Sequence, residues 1–421
     1  VEHVGESPVR DTFVQRQGAR PAVTVVGIGA DGWNGLGGSA QDALASAEVI
    51  LGGPRQLELV SGQVEAELVP WPSPLVPALP GLLERYSGQR LCALASGDPM
   101  FFGLGATLAR TIGSSRMHVI AHPSSVTLAC ARLGWPAEDV EVVSVVGRPL
   151  ERVRRAVAPG RRLLVLSAGA QSPRALARQL TADGYGPSTL TVLEQLGGRS
   201  ERIETGTAAT WAHVPGDALN VVAVECEATP DATVLGEVAG LPDDAYLHDG
   251  QLTKREVRAV TLAHLAPRPE ELLWDVGGGA GSIAIEWMRA HRTCRAIAIE
   301  SNPGRAAGIA ANADALGVPA LEVVTGRAPD ALAGLPTPDV VFIGGGVTRD
   351  GVFDACWAAL PSGGRLVANA VTVEAETVLT SGQARFGGAL VRVQVSRAEP
   401  VGGFLGWRPS MPVTIWSAVK P

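Results

Sequence analysis

ELLWDVGGGAGSIAIEW, residues Glu271 to Trp287, reads as strand, glycine turn and helix in immediate succession. Leu272–Val276 is an apolar run of the length of a buried strand. Gly277, Gly278, Gly279, Ala280 and Gly281 follow, a turn almost without side chains. Ile283, Ile285, Glu286 and Trp287 then begin a helix, with Ser282 in its first turn. Such a unit lays a cofactor against backbone N–H groups at a helix N-terminus. The glycines fall as Gly277-x-Gly279-x-Gly281, whereas the dinucleotide fingerprint is G-x-G-x-x-G, and position 282 is Ser. Asp275 stands two residues before the first glycine. A carboxylate there repels a pyrophosphate and suits a cofactor carrying an ammonium group, as S-adenosylmethionine does. The next strand, Cys294–Ile299, ends in Glu300, about 25 residues beyond Asp275 and near the spacing at which an acid takes ribose hydroxyls. A nicotinamide-type site and a bare βαβ bend with no nucleotide are the alternatives.

The chain around this unit has 421 residues, too many for one ordinary core, so two domains are expected. A net charge of −7 and a pI near 5.6 argue against broad nucleic-acid binding, which leaves a basic footprint. No apolar run reaches about 18 residues unbroken, so no membrane span is expected. Residues 1–21 read as a polar tail without a signal peptide's apolar segment. Five scattered cysteines without CxxC spacing suggest neither a zinc site nor a disulfide framework, but buried thiols in a reducing cytoplasm. No metal is expected.

The first half alternates strands and helices, an α/β class. Ala22–Gly29 (AVTVVGIG) is a buried strand ending in glycine. Leu91–Ala95 is another, and Ser96-Gly97-Asp98-Pro99-Met100 follows it, where ligands bind in open α/β sheets. Asp98 is alternatively a turn or helix cap. His122-Pro123-Ser124-Ser125 leads into a further helix. Glu227–Gly240 is small, polar and marked by Pro and Gly, which suits a linker. The expected division is a tail over 1–21, a first domain over 22–228, a linker over 229–246 and a second domain over 247–421.

VVGIGADG, ASGDPMFFGLG, PSSVTLACARLGW, SVVGRP and LEQLGG-x-x-ERI resemble the tetrapyrrole methylase family, more narrowly its precorrin carbon-5 methylases. TKREVRA, DVGGGAG, AIESNP, VVTGRAP, DVVFIGGG and PSGGRLVANAVTVE resemble the class I, Rossmann-like methyltransferases, within them the decarboxylating precorrin carbon-15 enzymes. The first resemblance implies a two-subdomain fold with S-adenosylmethionine in the cleft, held by Gly29, Gly97, Asp98, Met100, Ser124 and Ser125. The second implies another S-adenosylmethionine at Thr253, Asp275, Gly277–Gly281 including Gly278, Gly279 and Ala280, then Glu300, Arg327 and Ala328. Together they imply methylation of precorrin-6B at carbons 5 and 15 with loss of the ring C acetate carboxyl, giving precorrin-8X on the way to cobalamin. A homo-oligomer is implied by the same resemblance.

Methyl transfer to an electron-rich macrocycle calls for alignment and exclusion of water. Decarboxylation calls for cationic anchors and one proton donor. Lys254, Arg258 and Arg327 are the anchor candidates, since Arg suits forked contacts with carboxylates. Glu256 and His248 are the proton-transfer candidates. Thr253 and Glu256 also fit a capping box opening a helix, and Lys254, Arg255 and Arg258 also fit a solvated helix face. Gly402-Gly403-Phe404 and Trp407–Pro412 are either a wall of the substrate pocket or a turn. A fused methyltransferase acting on RNA, and a cofactor-binding regulator without turnover, are the competing functions.

Overall fold

A computed structural model describes residues 22–421; the polar tail expected over 1–21 lies outside them. Their strands form three sheets and one two-stranded hairpin. The first sheet holds β1 (Val23–Ile28), β2 (Val49–Gly52), β3 (Glu67–Pro70), β4 (Leu91–Ser96) and β5 (Met117–Ile120), in the order β3-β2-β4-β1-β5. All its pairings are parallel. Both faces are covered, which is why β1 and β4 are apolar along nearly their whole length. Ile28 lies opposite Ser96, so the loops after β1 and β4 leave the sheet side by side. The Gly97 N–H donates to the Ile28 carbonyl at 2.9 Å. A Cβ on Gly27 would lie 2.2 Å from the Gly97 carbonyl oxygen, so this approach requires glycine.

The second sheet holds β6 (Val140–Ser144), β7 (Arg162–Leu166), β8 (Thr189–Glu194), β9 (Arg202–Thr207) and β10 (Asn220–Glu225), in the order β6-β7-β10-β8-β9. The edge strands β3 of the first sheet and β9 of the second are half-exposed and carry little apolar pattern.

The third sheet holds β11 (Leu272–Val276), β12 (Arg295–Glu300), β13 (Glu322–Thr325), β14 (Val340–Ile343), β15 (Arg365–Ala370), β16 (Ala389–Val393) and β19 (Val413–Val419). Its order is β13-β12-β11-β14-β15-β19-β16, parallel except for β19, which runs antiparallel to both neighbours. This is the expected Rossmann-like layout with a terminal antiparallel pair. The strand order reverses at β11, where ligands bind in open sheets. β17 (Ser396–Val401) and β18 (Phe404–Pro409) form the separate hairpin. It occupies the stretch read as a turn or a wall of the substrate pocket, Gly402-Gly403-Phe404 and Trp407–Pro412. The hairpin leaves Phe404, Leu405 and Trp407 in solvent, and none of its residues lines the cavity at the glycine turn.

The downstream half of the segment read as a linker belongs to the third sheet's core. Leu241 and Tyr246 are buried there. The Gly240 and Leu241 N–H groups donate to the Glu286 carboxylate at 2.6 and 3.0 Å. The two halves touch where Arg154 Nη1 donates to the Asp314 carbonyl at 3.2 Å and Arg155 Nη1 to that of Met288 at 3.4 Å. All five cysteines are free, buried thiols, and burial pushes Cys356 up to about 12. No helix among the described residues is long and apolar enough to cross a membrane.

Candidate functional sites

Two cavities lie at carboxyl ends of parallel strands. The first, about 500 Å³, opens between the first and second sheets. Gly29, Gly97 and Ser125 of the expected cofactor residues line it. Asp98, Met100 and Ser124 do not. Asp98 Oδ1 accepts the Met100 N–H at 2.8 Å, so its carboxylate closes a turn. Ser124 caps the helix Ser125–Leu133, its Oγ accepting the Thr127 N–H at 3.0 Å. Met100 projects into solvent. The lining also contains residues that sequence reading missed: Arg55, Gln56, Phe101, Phe102, Ser144, Ser167 and Asn220. Ser167 Oγ and Asn220 Oδ1 are buried without a hydrogen-bond partner. Unpaired buried polar atoms are costly, and these two line a cavity large enough for a nucleoside-bearing cofactor.

The second cavity, about 250 Å³, lies against the glycine turn. Gly277, Gly279, Glu300, Arg327 and Ala328 line it, together with Gln251, Ser301, Arg305, Gly344–Gly346 and Arg349. Gly277 and Gly279 have φ of +77° and +58°. A Cβ on Gly277 would stand 2.7 Å from the Gly345 nitrogen, and one on Gly279 2.8 Å from the Gln251 carbonyl oxygen. Glycine is therefore needed for conformation and for space. Gly281, also at positive φ, faces the other way: its Cβ would meet Ile309 at 2.7 Å. Gly278 and Ala280 pack rather than line, and the Ala280 carbonyl accepts Asn312 Nδ2 at 2.9 Å. Glu300 is buried, with Oε2 accepting the Gly279 N–H at 2.9 Å and Oε1 the Asn302 N–H at 2.8 Å. Oε2 keeps a lone pair for a ribose hydroxyl, while Oε1 also meets Ser301 Oγ at 3.5 Å. The donor set of this cavity fits a nucleoside cofactor.

Asp275 sits beneath the turn instead of facing the cavity, which corrects the expected direct contact with an ammonium group. It is 1% exposed, and its Oδ2 accepts the Ala284 N–H at 3.1 Å at the start of the helix Ser282–Ala290. Burial, with the Glu300 charge adding to it, raises this carboxyl from 3.8 to about 7. The folded chain therefore retains a proton that the unfolded chain releases, and stability falls as pH rises between those values. The full cost above pH 7 is about 4 kcal/mol, at ~1.36 kcal/mol per pH unit. Asp275→Asn keeps an acceptor for Ala284 and removes the titration. The cofactor-free variant is expected to hold its melting temperature between pH 5 and 8 while the native chain loses several degrees. A variant that loses as much as the native chain would refute this account.

Of the expected catalytic and substrate residues, all but Arg327 lie outside this cavity. The helix Arg255–Leu265 has Lys254 at its N-cap and no side-chain cap bond, so Thr253 is not its cap and the capping box does not form. Thr253 does not line the cavity; Gln251 does. Glu256 is exposed and pairs with Arg397 of the hairpin. His248 Nδ1 accepts the Gly250 N–H at 3.0 Å in an exposed turn. Lys254 pairs with Asp243 at 3.7 Å. Arg258 is fully buried, and its guanidinium is consumed by Glu286, Asp243 and the carbonyls of Thr253 and Leu241. It cannot anchor a substrate. Arg327 alone of the three anchor candidates reaches the cavity.

Comparison with known proteins bears on both halves. A curated relative from Sinorhizobium, precorrin-6Y C(5,15)-methyltransferase [decarboxylating], is 52% identical over 400 residues, covering 95% of this chain and 97% of its own. The chain belongs to that family. A member from Mycobacterium tuberculosis (strain CDC 1551 / Oshkosh) is 48% identical over 402 residues, covering 94% of this chain and all of its own. Residues 22–212 match the tetrapyrrole (corrin/porphyrin) methylases, and residues 244–420 match the precorrin methyltransferase domain. A crystal structure of the C-terminal domain of the family's Rhodobacter capsulatus member is 49% identical, covers 44% of this chain and all of its own, and gives a TM-score of 0.42. Family membership makes the chain a methyltransferase, with S-adenosylmethionine as its methyl donor.

Proposed function

We propose that the chain methylates a precorrin-6 macrocycle at carbons 5 and 15 and releases one acetate carboxyl as carbon dioxide, with one S-adenosylmethionine site in each half. The carrying observation is that similarity to the decarboxylating C(5,15) family covers 95% of the chain, while each half has its own cavity at the carboxyl ends of its strands. In this reading the first cleft, over residues 22–228, serves carbon 5. The glycine-turn cavity, over 247–421, serves carbon 15 and the decarboxylation.

When bound, S-adenosylmethionine supplies an activated methyl group on a sulfonium. The protein's part is placement. In the first cleft Gly29 and Gly97 leave room for close approach, and Ser125, Ser167 and Asn220 offer polar contacts. In the second, Gly277 and Gly279 clear the turn and Glu300 takes the ribose hydroxyls. Arg327 and Arg349 stand exposed at its rim, where guanidinium forks suit the substrate's carboxylates. Holding reactants in line without water supplies much of the rate.

Incubation with precorrin-6B and isotopically labelled S-adenosylmethionine, followed by mass measurement, is expected to show two added methyl groups and the loss of carbon dioxide. An unchanged tetrapyrrole beside methylated RNA would overturn the reading.

A further inference from the structure

The mouth of the first cleft carries charge and aromatic surface beyond what a single cofactor uses. Arg55, in the first turn of the helix Pro54–Val60, lines the cleft. Its guanidinium reaches only the neutral Ser96 Oγ among the described residues, at 3.5 Å, and Gln56 Nε2 already donates to that oxygen at 2.7 Å. Burial pulls Arg55 below its ordinary value, and Asp217 offsets this only in part. A half-buried cation without an ion partner is destabilising unless a ligand completes it.

The second sheet contributes a matching group. Arg148, just after β6, is exposed, and its Cζ stands 5.9 Å from the centroid of the Phe102 ring. Arg152 nearby is lowered by burial and then by the charges of Arg148 and Arg155. Arginines close enough to lower one another in this way favour an anionic ligand beside them.

Phe101 and Phe102 line the cleft together with Arg55, and Phe102 is the ring that Arg148 approaches. They are 40% and 47% exposed although both line the cleft, and their rings meet edge to face at 5.0 Å. Phe102 has φ of +53°, a conformation that strains a bulky residue. Packing alone does not explain two half-exposed aromatic rings, one of them on strained backbone.

We propose that Arg55 and Arg148 seat carboxylate side chains of the tetrapyrrole from opposite sides of the first cleft, over an apolar bed formed by Phe101 and Phe102. The inference rests on reading this cleft as the carbon-5 site. It assigns substrate recognition to residues distinct from the cofactor contacts.

The test uses the full chain with Arg55→Gln, Arg148→Gln, both together, and Arg55→Lys. Carbon-5 methylation is followed against tetrapyrrole concentration at saturating S-adenosylmethionine, and cofactor affinity is measured separately by calorimetry. Each Gln variant is expected to raise the tetrapyrrole KM about tenfold and the pair about a hundredfold. Arg55→Lys should recover part of the loss, since it restores charge but not the fork. Cofactor affinity should stay unchanged. An unaltered tetrapyrrole KM in the double variant overturns the proposal. So does a loss confined to cofactor affinity, which would give Arg55 to the cofactor. A native chain that never methylates carbon 5 overturns the underlying reading instead, so the two failures are distinguishable.

Discussion

Under the proposal of one cofactor site in each half, a Gly279→Val chain is expected to bind one S-adenosylmethionine against two for the native chain, and to place no methyl group at carbon 15. The new Cβ would stand 2.8 Å from the Gln251 carbonyl oxygen, at a φ of +58° that a β-branched residue resists. The Gly279 N–H also holds Glu300 Oε2 at 2.9 Å, so moving the turn displaces the carboxylate assigned to the ribose. Gly97→Val is the reciprocal variant. Gly97 has φ of +59°, and its Cβ would lie 3.2 Å from the Ser124 Cα, so the change distorts the first cleft and spares the second. Each variant should lose at least about 100-fold in kcat/KM for its own methylation, equivalent to ~2.7 kcal/mol of transition-state stabilisation. Calorimetric stoichiometry reads the sites without depending on the order of the two methylations. Loss of both sites in either variant, with the fold intact by circular dichroism, would sink the assignment of one cofactor to each half.

Those glycines were legible because local pattern and local structure coincide there. β11 is a continuous apolar run followed by residues that only a sharp turn accommodates, and its buried pattern and Gly277 φ agree with that. The loops after β1 and β4 were legible for the same reason. Residues brought in from a distance were not. Arg55, Ser167 and Asn220 meet in the first cleft from three separate elements, and no spacing in the chain connects them. The β17–β18 hairpin was missed because Pro400, Gly402, Gly403 and Pro409 break the alternation that marks a strand. Asp98 shows the opposite lesson: turn closure, the bland alternative, is what its side chain does.

Arg258 carries the other large expected effect, and it is one of stability. Beside Lys254 and Arg255 it reads as part of a charged helix face, yet it is fully buried. Its partner Glu286 comes from the helix Ser282–Ala290, and Arg258 Nε donates to Glu286 Oε1 at 2.6 Å. The same carboxylate accepts from the Gly240 and Leu241 N–H groups and, at 2.8 Å, from the Tyr246 hydroxyl. The Arg258 guanidinium lies 4.8 Å from the centroid of the Tyr246 ring. Burial, with the Glu286 charge, drives the Tyr246 hydroxyl well above its ordinary value, so it stays a neutral donor. One buried ion pair thus fastens the segment 240–246 to two helices of the third sheet. Replacing Arg258 by Met removes the cation and strands a buried carboxylate, which typically costs about 3–5 kcal/mol. In a unit of this size that lowers the melting temperature of the C-terminal half by about 10 °C. Arg258→Met with Glu286→Gln removes both charges and leaves an amide oxygen that still serves Leu241 and Tyr246, at the loss of the Gly240 hydrogen bond, a smaller cost than an unpaired buried carboxylate. Scanning calorimetry should show this double variant melting above the single one. A single variant as stable as the native chain, or a double variant no better than the single, would show that the pair does not fasten this segment.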